Sequence, residues 1–201
     1  SDLEKSPEKY LLIFSNSFLT GNALIQHAPI IRLNSVFNQG TLRERLQISL
    51  VDEAVKRGLC KFDVTHFTGK PTYTTGVKQL INQEIDCGQL THEFLTDWVK
   101  REELSSSIFG DGVALPHVID KSGLNRILVT VGLFENPVVF DNQKVNVVFL
   151  VAIPNKLDAE LSRILTQVYD LIRSIAANSN IFNNLKNYDD NRGLIQLMEA
   201  I

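Results

Sequence analysis

The stretch Arg101-Glu-Glu-Leu-Ser-Ser-Ser-Ile-Phe-Gly-Asp-Gly-Val-Ala-Leu-Pro-His117 gathers residue types suited to handling a phosphoryl group. Its histidine follows a short apolar run and a proline, a place where a loop can present the ring to another molecule. A neutral imidazole keeps one ring nitrogen free and, with a pKa near ~6.5, attacks phosphorus without a strong base. Gly110 and Gly112 let backbone amides come close to a phosphoryl group, and Ser105, Ser106 and Ser107 can add hydroxyl donors. Arg101 supplies the planar fork that best matches phosphate oxygens. A lone Pro-His or Gly-x-Gly pair occurs by chance, so the ordered set carries the signal. Asp111 is open to two readings, a solvated turn acid or a local tuner of His117.

The bland readings stand beside these. His117 could be a loop histidine without chemistry, and Arg101 could form a helix-end salt bridge to Glu103 or Asp97. His92 opens a helix and reads as surface, while His27 and His66 read as incidental loop residues. Trp98, at helical spacing from Phe94, reads as core. Cys60 and Cys87 belong to no Cys-x-x-Cys pair or Cys/His cluster, so both are expected to be ordinary buried or half-buried thiols. No metal and no organic cofactor is expected.

Elements must position these groups. Tyr10-Leu-Leu-Ile-Phe14 reads as a buried strand ending at Ser15-Asn-Ser17, and Ile30-Ile-Arg-Leu33 repeats that character after a break at His27-Ala-Pro29. From Thr41 the period becomes helical through Leu42, Leu46, Leu50, Ala54 and Val55, with Thr41 able to cap the start and Gly58 the end. Strand, loop, strand, helix is half of a small α/β unit, and a piece of ~60 residues would be marginal alone. The turn-rich stretch between Cys60 and Tyr73 reads as a junction, which divides the chain into residues 1–60 and 61–201.

Beyond the junction, Thr74 or Thr75 leads into a helix that stops near Asp86-Cys-Gly88, and Thr91 caps a second helix over 92–101. A short apolar strand ends at Pro116, and longer strands are expected over 127–131 and 145–153. The last of these is almost continuously apolar, which predicts burial on both faces. After Asn155 a helix carries Leu157, Leu161, Ile164, Leu165, Val168, Leu171, Ile172 and Ile175 on one stripe, followed by short helices around 181–185 and 193–201. The fold class is α/β: a mixed β-sheet flanked by helices, preceded by a partial α/β segment.

At 201 residues, 44% apolar and 21% charged, the chain can bury a sizeable core. No apolar run approaches the ~20 residues of a membrane span, and the polar opening Ser1 to Lys9 reads as neither signal peptide nor anchor. A cytoplasmic protein without membrane insertion is the expectation. The net charge of −3 and pI of about 5.8, with scattered positive charges, argue against a nucleic-acid-binding surface.

The ordered set resembles the active-site motif of the mannitol/fructose-type enzyme IIA family of sugar phosphotransferase systems. The match comprises Arg101-Glu102, Ser105 to Ser107, Gly110, Gly112 and Ala114-Leu-Pro-His117, and the order of elements agrees from about Phe62 to the C-terminus. The resemblance implies that His117 receives phosphate from the carrier protein HPr and passes it to a cysteine of an enzyme IIB domain. It implies Arg101 as a phosphate-stabilising residue. Transporting members commonly carry a second histidine at the start of the helix after the long central strand. Here Glu160 or Leu161 takes that place, and a carboxylate there would repel an incoming phosphoryl group. Val118 also stands where the family often has glycine or alanine. These departures favour a regulatory use over sugar flux.

Residues from Glu8 through the helix after Thr41 resemble the C-terminal half of an enzyme IIB-like domain, whose first strand and cysteine loop would lie upstream of Ser1. A IIB-like module followed by a IIA-like one is the C-terminal arrangement of transcriptional activators carrying phosphotransferase-regulation domains. The expected partners are HPr, an enzyme IIB domain or both, with DNA contacted only through domains outside this chain and a homodimer left open. The alternative is a catalytic enzyme IIA component relaying phosphate from HPr to a IIB cysteine during sugar uptake. A module that is never phosphorylated is a third possibility.

Overall fold

The apolar run Val145 to Ile153 forms the centre of a sheet covered on both sides. In the structure, a computed structural model that describes residues 13–15, 30–32, 39–110 and 112–177, it belongs to strand β8 (Gln143–Pro154). β8 runs antiparallel to β7 (Ile127–Phe140), with Phe140 opposite Gln143. The connecting Asp141 and Asn142 have φ of 48° and 58°, the two-residue turn whose twist matches the strands it joins. β7 is longer than the expected 127–131 because Glu135, Asn136 and Pro137 lie within a register shift between Leu133 and Val138.

Beside β7 lies β3 (Cys60–His66), parallel to it, with Cys60 opposite Ile127 and His66 opposite Leu133. The sequence reading places a junction here. A strand forms because Cys60 and Phe62 turn into one core while Lys61, Asp63 and Thr65 alternate to the other face, a period of two that the polar residues disguise. The turns are confined to the stretch after His66, where Gly69 and Lys70 have φ of 86° and 109°. Across β8, β5 (Gly112–Ala114) pairs in parallel and β4 (Ile108–Gly110) adds an antiparallel edge, giving the order β3-β7-β8-β5-β4. β6 (His117–Asp120) also pairs with β8.

Among the described residues, four helices flank this mixed sheet: α1 (Gln39–Lys56), α2 (Tyr73–Asp86), α3 (His92–Leu104) and α4 (Ala159–Ala177). Alternation along β8 sorts the core. Val147, Phe149 and Val151 pack with Val168, Ile172 and Ile175 of α4 and with Val51 and Ala54 of α1. Val148, Leu150 and Ala152 pack with Val77, Leu80 and Ile81 of α2 and with Phe94 and Trp98 of α3. Each large side chain buried this way contributes ~1.5–3 kcal/mol. The expected fold class is the one observed, and α1, which the sequence assigns to the first piece, puts Val51 and Ala54 into the core of the sheet.

Helix ends follow local chemistry. Thr72, rather than Thr74 or Thr75, caps α2, its Oγ1 accepting from the Thr75 N–H at 3.2 Å. Thr91 occupies the N-cap of α3 as expected but makes no side-chain capping bond. Asp158 Oδ1 accepts from the Leu161 N–H at 2.7 Å at the start of α4, and Leu157, expected on the α4 stripe, precedes the helix and is exposed. β1 (Ile13–Ser15) and β2 (Ile30–Arg32) pair in parallel where two strands are expected. His27, Asp111 and the helices expected after residue 178 lie outside the described residues.

Candidate functional site

Ala114 of β5 lies opposite Val148, and His117 opens β6 opposite Val151, so the register along β8 carries straight through Leu115-Pro116. The proline, lacking an N–H, only interrupts the ladder. Its carbonyl still accepts from the Val151 N–H at 2.9 Å, and the Leu115 N–H turns to the Ser107 carbonyl at 2.7 Å. His117 is therefore the first residue of a strand, where the sequence suggests a loop. Val118 and Asp120 are buried, His117 is half-buried and Ile119 is 52% exposed, so His117 and Ile119 share the outward side of β6. Asp120 ends the strand by accepting from the Ser122 N–H, the Ser122 hydroxyl and the Leu124 N–H at 3.1, 2.8 and 3.0 Å.

The imidazole is held at both nitrogens. Nδ1 lies 3.1 Å from the Leu115 carbonyl oxygen. A carbonyl can only accept, which assigns the proton to Nδ1 and the lone pair to Nε2. Nη2 of Arg101 donates to Nε2 at 2.6 Å. Arg101 lies in the last turn of α3, where the helix dipole favours a cation. Its bland partner Asp97 is engaged by Lys121 at 2.6 Å, which draws the Asp97 carboxyl below its usual range. A third element completes the site: Tyr169 of α4 meets the His117 ring edge-on, centroids 6.2 Å apart at 80°. Burial raises the Tyr169 hydroxyl, and the nearby Arg101 charge opposes that rise.

Such an arrangement offers a nucleophilic Nε2 with the opposite nitrogen fixed by backbone, and a guanidinium able to move from Nε2 onto the oxygens of an arriving phosphoryl group. The structure brings Arg101 and His117 together. The serines expected to face a phosphate have local employment instead. The Ser107 hydroxyl donates to Glu102 Oε2 at 2.7 Å, Ser106 Oγ accepts from the Ile108 N–H at 3.5 Å, and Ser105 is the C-cap of α3. Gly110 and Gly112 lie in β4 and β5, Gly112 with a left-handed φ of 80°.

Neither Glu160 nor Leu161 is the α4 residue set against His117. Glu160 pairs with Arg57, just past the end of α1, at 2.6 Å and Leu161 is buried, while Tyr169 takes the position facing the ring. Tyr169 escaped the sequence reading because it adjoins Val168 at the edge of an apolar stripe; its one signal is that no other aromatic occurs in α4. Cys60 is buried and burial pushes its thiol up to about 12, leaving it inert at neutral pH. Cys87, expected to be at least half-buried, is exposed at the C-cap of α2. Trp98 is core and His92 is exposed, as read from the sequence. Among the described residues, no group of three or more His, Cys, Asp or Glu side chains is placed to hold a metal ion, and no helix is long and apolar enough to cross a membrane.

A mixed sheet with helices on both faces, carrying a histidine–arginine pair at the start of the short strand β6, defines an α/β domain whose paired imidazole is half-buried at the surface. Residues 72–200 match the family model for the phosphoenolpyruvate-dependent sugar phosphotransferase system, EIIA 2, and the chain belongs to that family. The "Probable licABCH operon regulator" of Bacillus subtilis (strain 168) is 24% identical over 159 residues, 78% of this chain and 24% of the regulator. The chain thus spans about a quarter of that relative's length. Nitrogen Regulatory Protein IIA-Ntr from Neisseria meningitidis superposes with a TM-score of 0.54 at 16% identity, covering 72% of this chain and 99% of that one. Enzyme IIAMTL from Escherichia coli, solved in complex with phosphorylated enzyme IIBMTL, gives 0.50 at 14% identity over 70% and 100% of the two chains. These likenesses establish the shared fold.

Proposed function

We propose that this chain is the regulatory IIA-like part of a bacterial transcriptional activator of sugar-utilisation genes, phosphorylated on His117 by HPr or a IIB component. The observation that carries the reading is the 2.6 Å contact of Arg101 Nη2 with His117 Nε2 while Nδ1 rests on a backbone carbonyl. In the transfer step Nε2 attacks phosphorus, the new Nε2–P bond forms as the bond from phosphorus to the donor's own phosphate-bearing atom breaks, and that atom keeps the electron pair. The Nδ1 proton stays in place, and Arg101 follows the phosphoryl oxygens. The product adds roughly two negative charges at a half-buried position, enough to alter contacts between domains.

A protein donor suits the surroundings. Leu104, one turn beyond Arg101 on α3, is 86% exposed, and Ile119 beside His117 is 52% exposed. Apolar side chains standing in water around a reactive pair are what a docking protein would cover. Similarity to an operon regulator that is far longer than this chain favours regulation, as does the α4 stretch from Ala159, which offers Tyr169 rather than a second histidine. The same reading takes residues 1–60 as the remnant of a IIB-like module and 61–201 as the IIA-like one, assigns DNA contact to other parts of a longer chain, and places the domain in the cytoplasm with its donor.

Incubation with enzyme I, HPr and labelled phosphoenolpyruvate tests this against a His117→Ala control. Label is expected on the wild type and none on the variant. Addition of a cysteine-bearing IIB domain then separates a switch, which retains its label, from the catalytic relay suggested by the fold shared with a IIA solved beside its phosphorylated IIB. Absence of label from both phospho-HPr and phospho-IIB would overturn the proposal.

A further inference from the structure

Which neutral tautomer an imidazole adopts decides whether Nε2 can attack, and in water neither form is locked. Here the lock is the Leu115 carbonyl, 3.1 Å from Nδ1. It sits on the weakest-laddered part of the strand, since Pro116 contributes no N–H to the pairing with β8. What holds it is Ser107, whose carbonyl takes the Leu115 N–H at 2.7 Å. Ser107 is in turn gripped by Glu102. Its hydroxyl donates to Oε2 at 2.7 Å and its N–H to Oε1 at 3.4 Å, while the Tyr73 hydroxyl donates to Oε1 at 3.2 Å.

We infer that Glu102 is a positioning residue for phosphoryl transfer: through Ser107 and Leu115 it fixes the carbonyl that keeps Nδ1 protonated and so leaves Nε2 as the nucleophile. The inference rests on the reading of His117 as phosphate acceptor. Helix stability does not account for Glu102, because a carboxylate in the last turn of α3 opposes the helix dipole. Three converging donors do, one from Tyr73 on α2 and two from Ser107 in the loop before β4. Arg101 and Glu102 are also neighbours on one helix end, so a single element governs both ring nitrogens, Arg101 directly and Glu102 through two residues. Phosphorylation leaves the ring cationic with its proton on Nδ1, and a fixed carbonyl at that proton meets the developing charge without rearrangement.

Two-bond 1H–15N couplings in protein labelled with 15N-histidine report the tautomer of His117 directly. Above the imidazole pKa, the wild type is expected to show Nδ1 protonated and Nε2 bare. Glu102→Ala and Ser107→Ala should each give a mixture of tautomers and transfer from phospho-HPr about tenfold slower, the scale of one hydrogen bond. Glu102→Gln, which keeps an acceptor for the Ser107 hydroxyl, should restore both readouts. A single Nδ1–H tautomer in folded Ser107→Ala and Glu102→Ala would overturn the inference; if Glu102→Ala does not fold, Ser107→Ala decides alone. Failure of the functional reading is distinguishable, because it leaves the wild type unphosphorylated whatever the tautomers do.

Discussion

The sheet carries two polar groupings that treat charge in opposite ways. At His117 the Arg101 side chain is exposed, so its charge stays in water. Under α2, Glu84 is only 4% exposed. Its Oε1 accepts from the Thr130 hydroxyl at 3.1 Å, but Oε2 makes no hydrogen bond among the described residues and lies 3.7 Å from Lys61 Nζ. Lys61 is itself shared with Asp63 of the same strand. Burial pushes the Glu84 carboxyl upward, the Asp63 charge adds to that, and Lys61 works against it without prevailing. The desolvation of a buried, incompletely paired charge is a cost to the fold. An exposed cation contributes little to stability and can be reserved for chemistry. Position relative to water, more than residue type, separates the charge that is free to act from the one the fold tolerates.

That contrast can be broken at either end. Arg101→Ala should slow transfer to His117 by about a hundredfold, the effect of removing one donor from developing oxyanion charge. Its melting temperature should barely move, as expected of a surface substitution. Arg101→Lys should recover only part of the rate, since an ammonium lacks the two-pronged geometry. Single-turnover transfer from phospho-HPr alongside a thermal melt makes the check, and an Ala variant as fast as wild type would remove Arg101 from the chemistry.

Glu84→Gln should do the reverse. A carboxyl whose pKa is raised by folding contributes stability below its ordinary value of 4.5 and loses it as pH climbs through the raised one. At pH 7 the wild type therefore bears a burden that the amide does not. The variant should be the more stable in urea at pH 7, with the gap closing as pH falls toward 4.5, and its rate of His117 phosphorylation should be unchanged. A variant less stable at pH 7 would mean that the attraction to Lys61 outweighs burial.

Much of this was legible along the chain, and what was not has a common cause. The continuous run of β8 announced burial on both faces, and the α4 stripe announced a core helix, because each pattern is written within one segment. Arg101 and His117 were legible as an ordered motif, and they meet. β3 was not legible, since its polar alternate residues face partners on α2, Thr65 to Gln83 at 3.1 Å and Lys61 to Glu84 at 3.7 Å, that belong to another element. Nor could sequence show that a strand register survives Pro116, because that register belongs to β8. The extension of β7 past Pro137 depends likewise on its hairpin partner.

Tyr169 gives the subtlest test of the exposed grouping. Its ring meets His117 edge-on while its hydroxyl senses the Arg101 charge, so it could act through the ring or through the oxygen. A ring contact of this geometry is worth about 0.5–1 kcal/mol, or two- to fivefold in a rate. If the ring edge is what steadies the imidazole, Tyr169→Phe should phosphorylate at nearly the wild-type rate and Tyr169→Leu about two- to fivefold more slowly. If the hydroxyl reached the phosphoryl group, as a second histidine would, Phe and Leu would lose activity alike, and more steeply, because a charge-assisted donor would be gone. Half-burial of Tyr169 and the 6.2 Å separation of ring centroids favour the first outcome. Equal losses in the two variants would make Tyr169 part of the reacting group rather than its support.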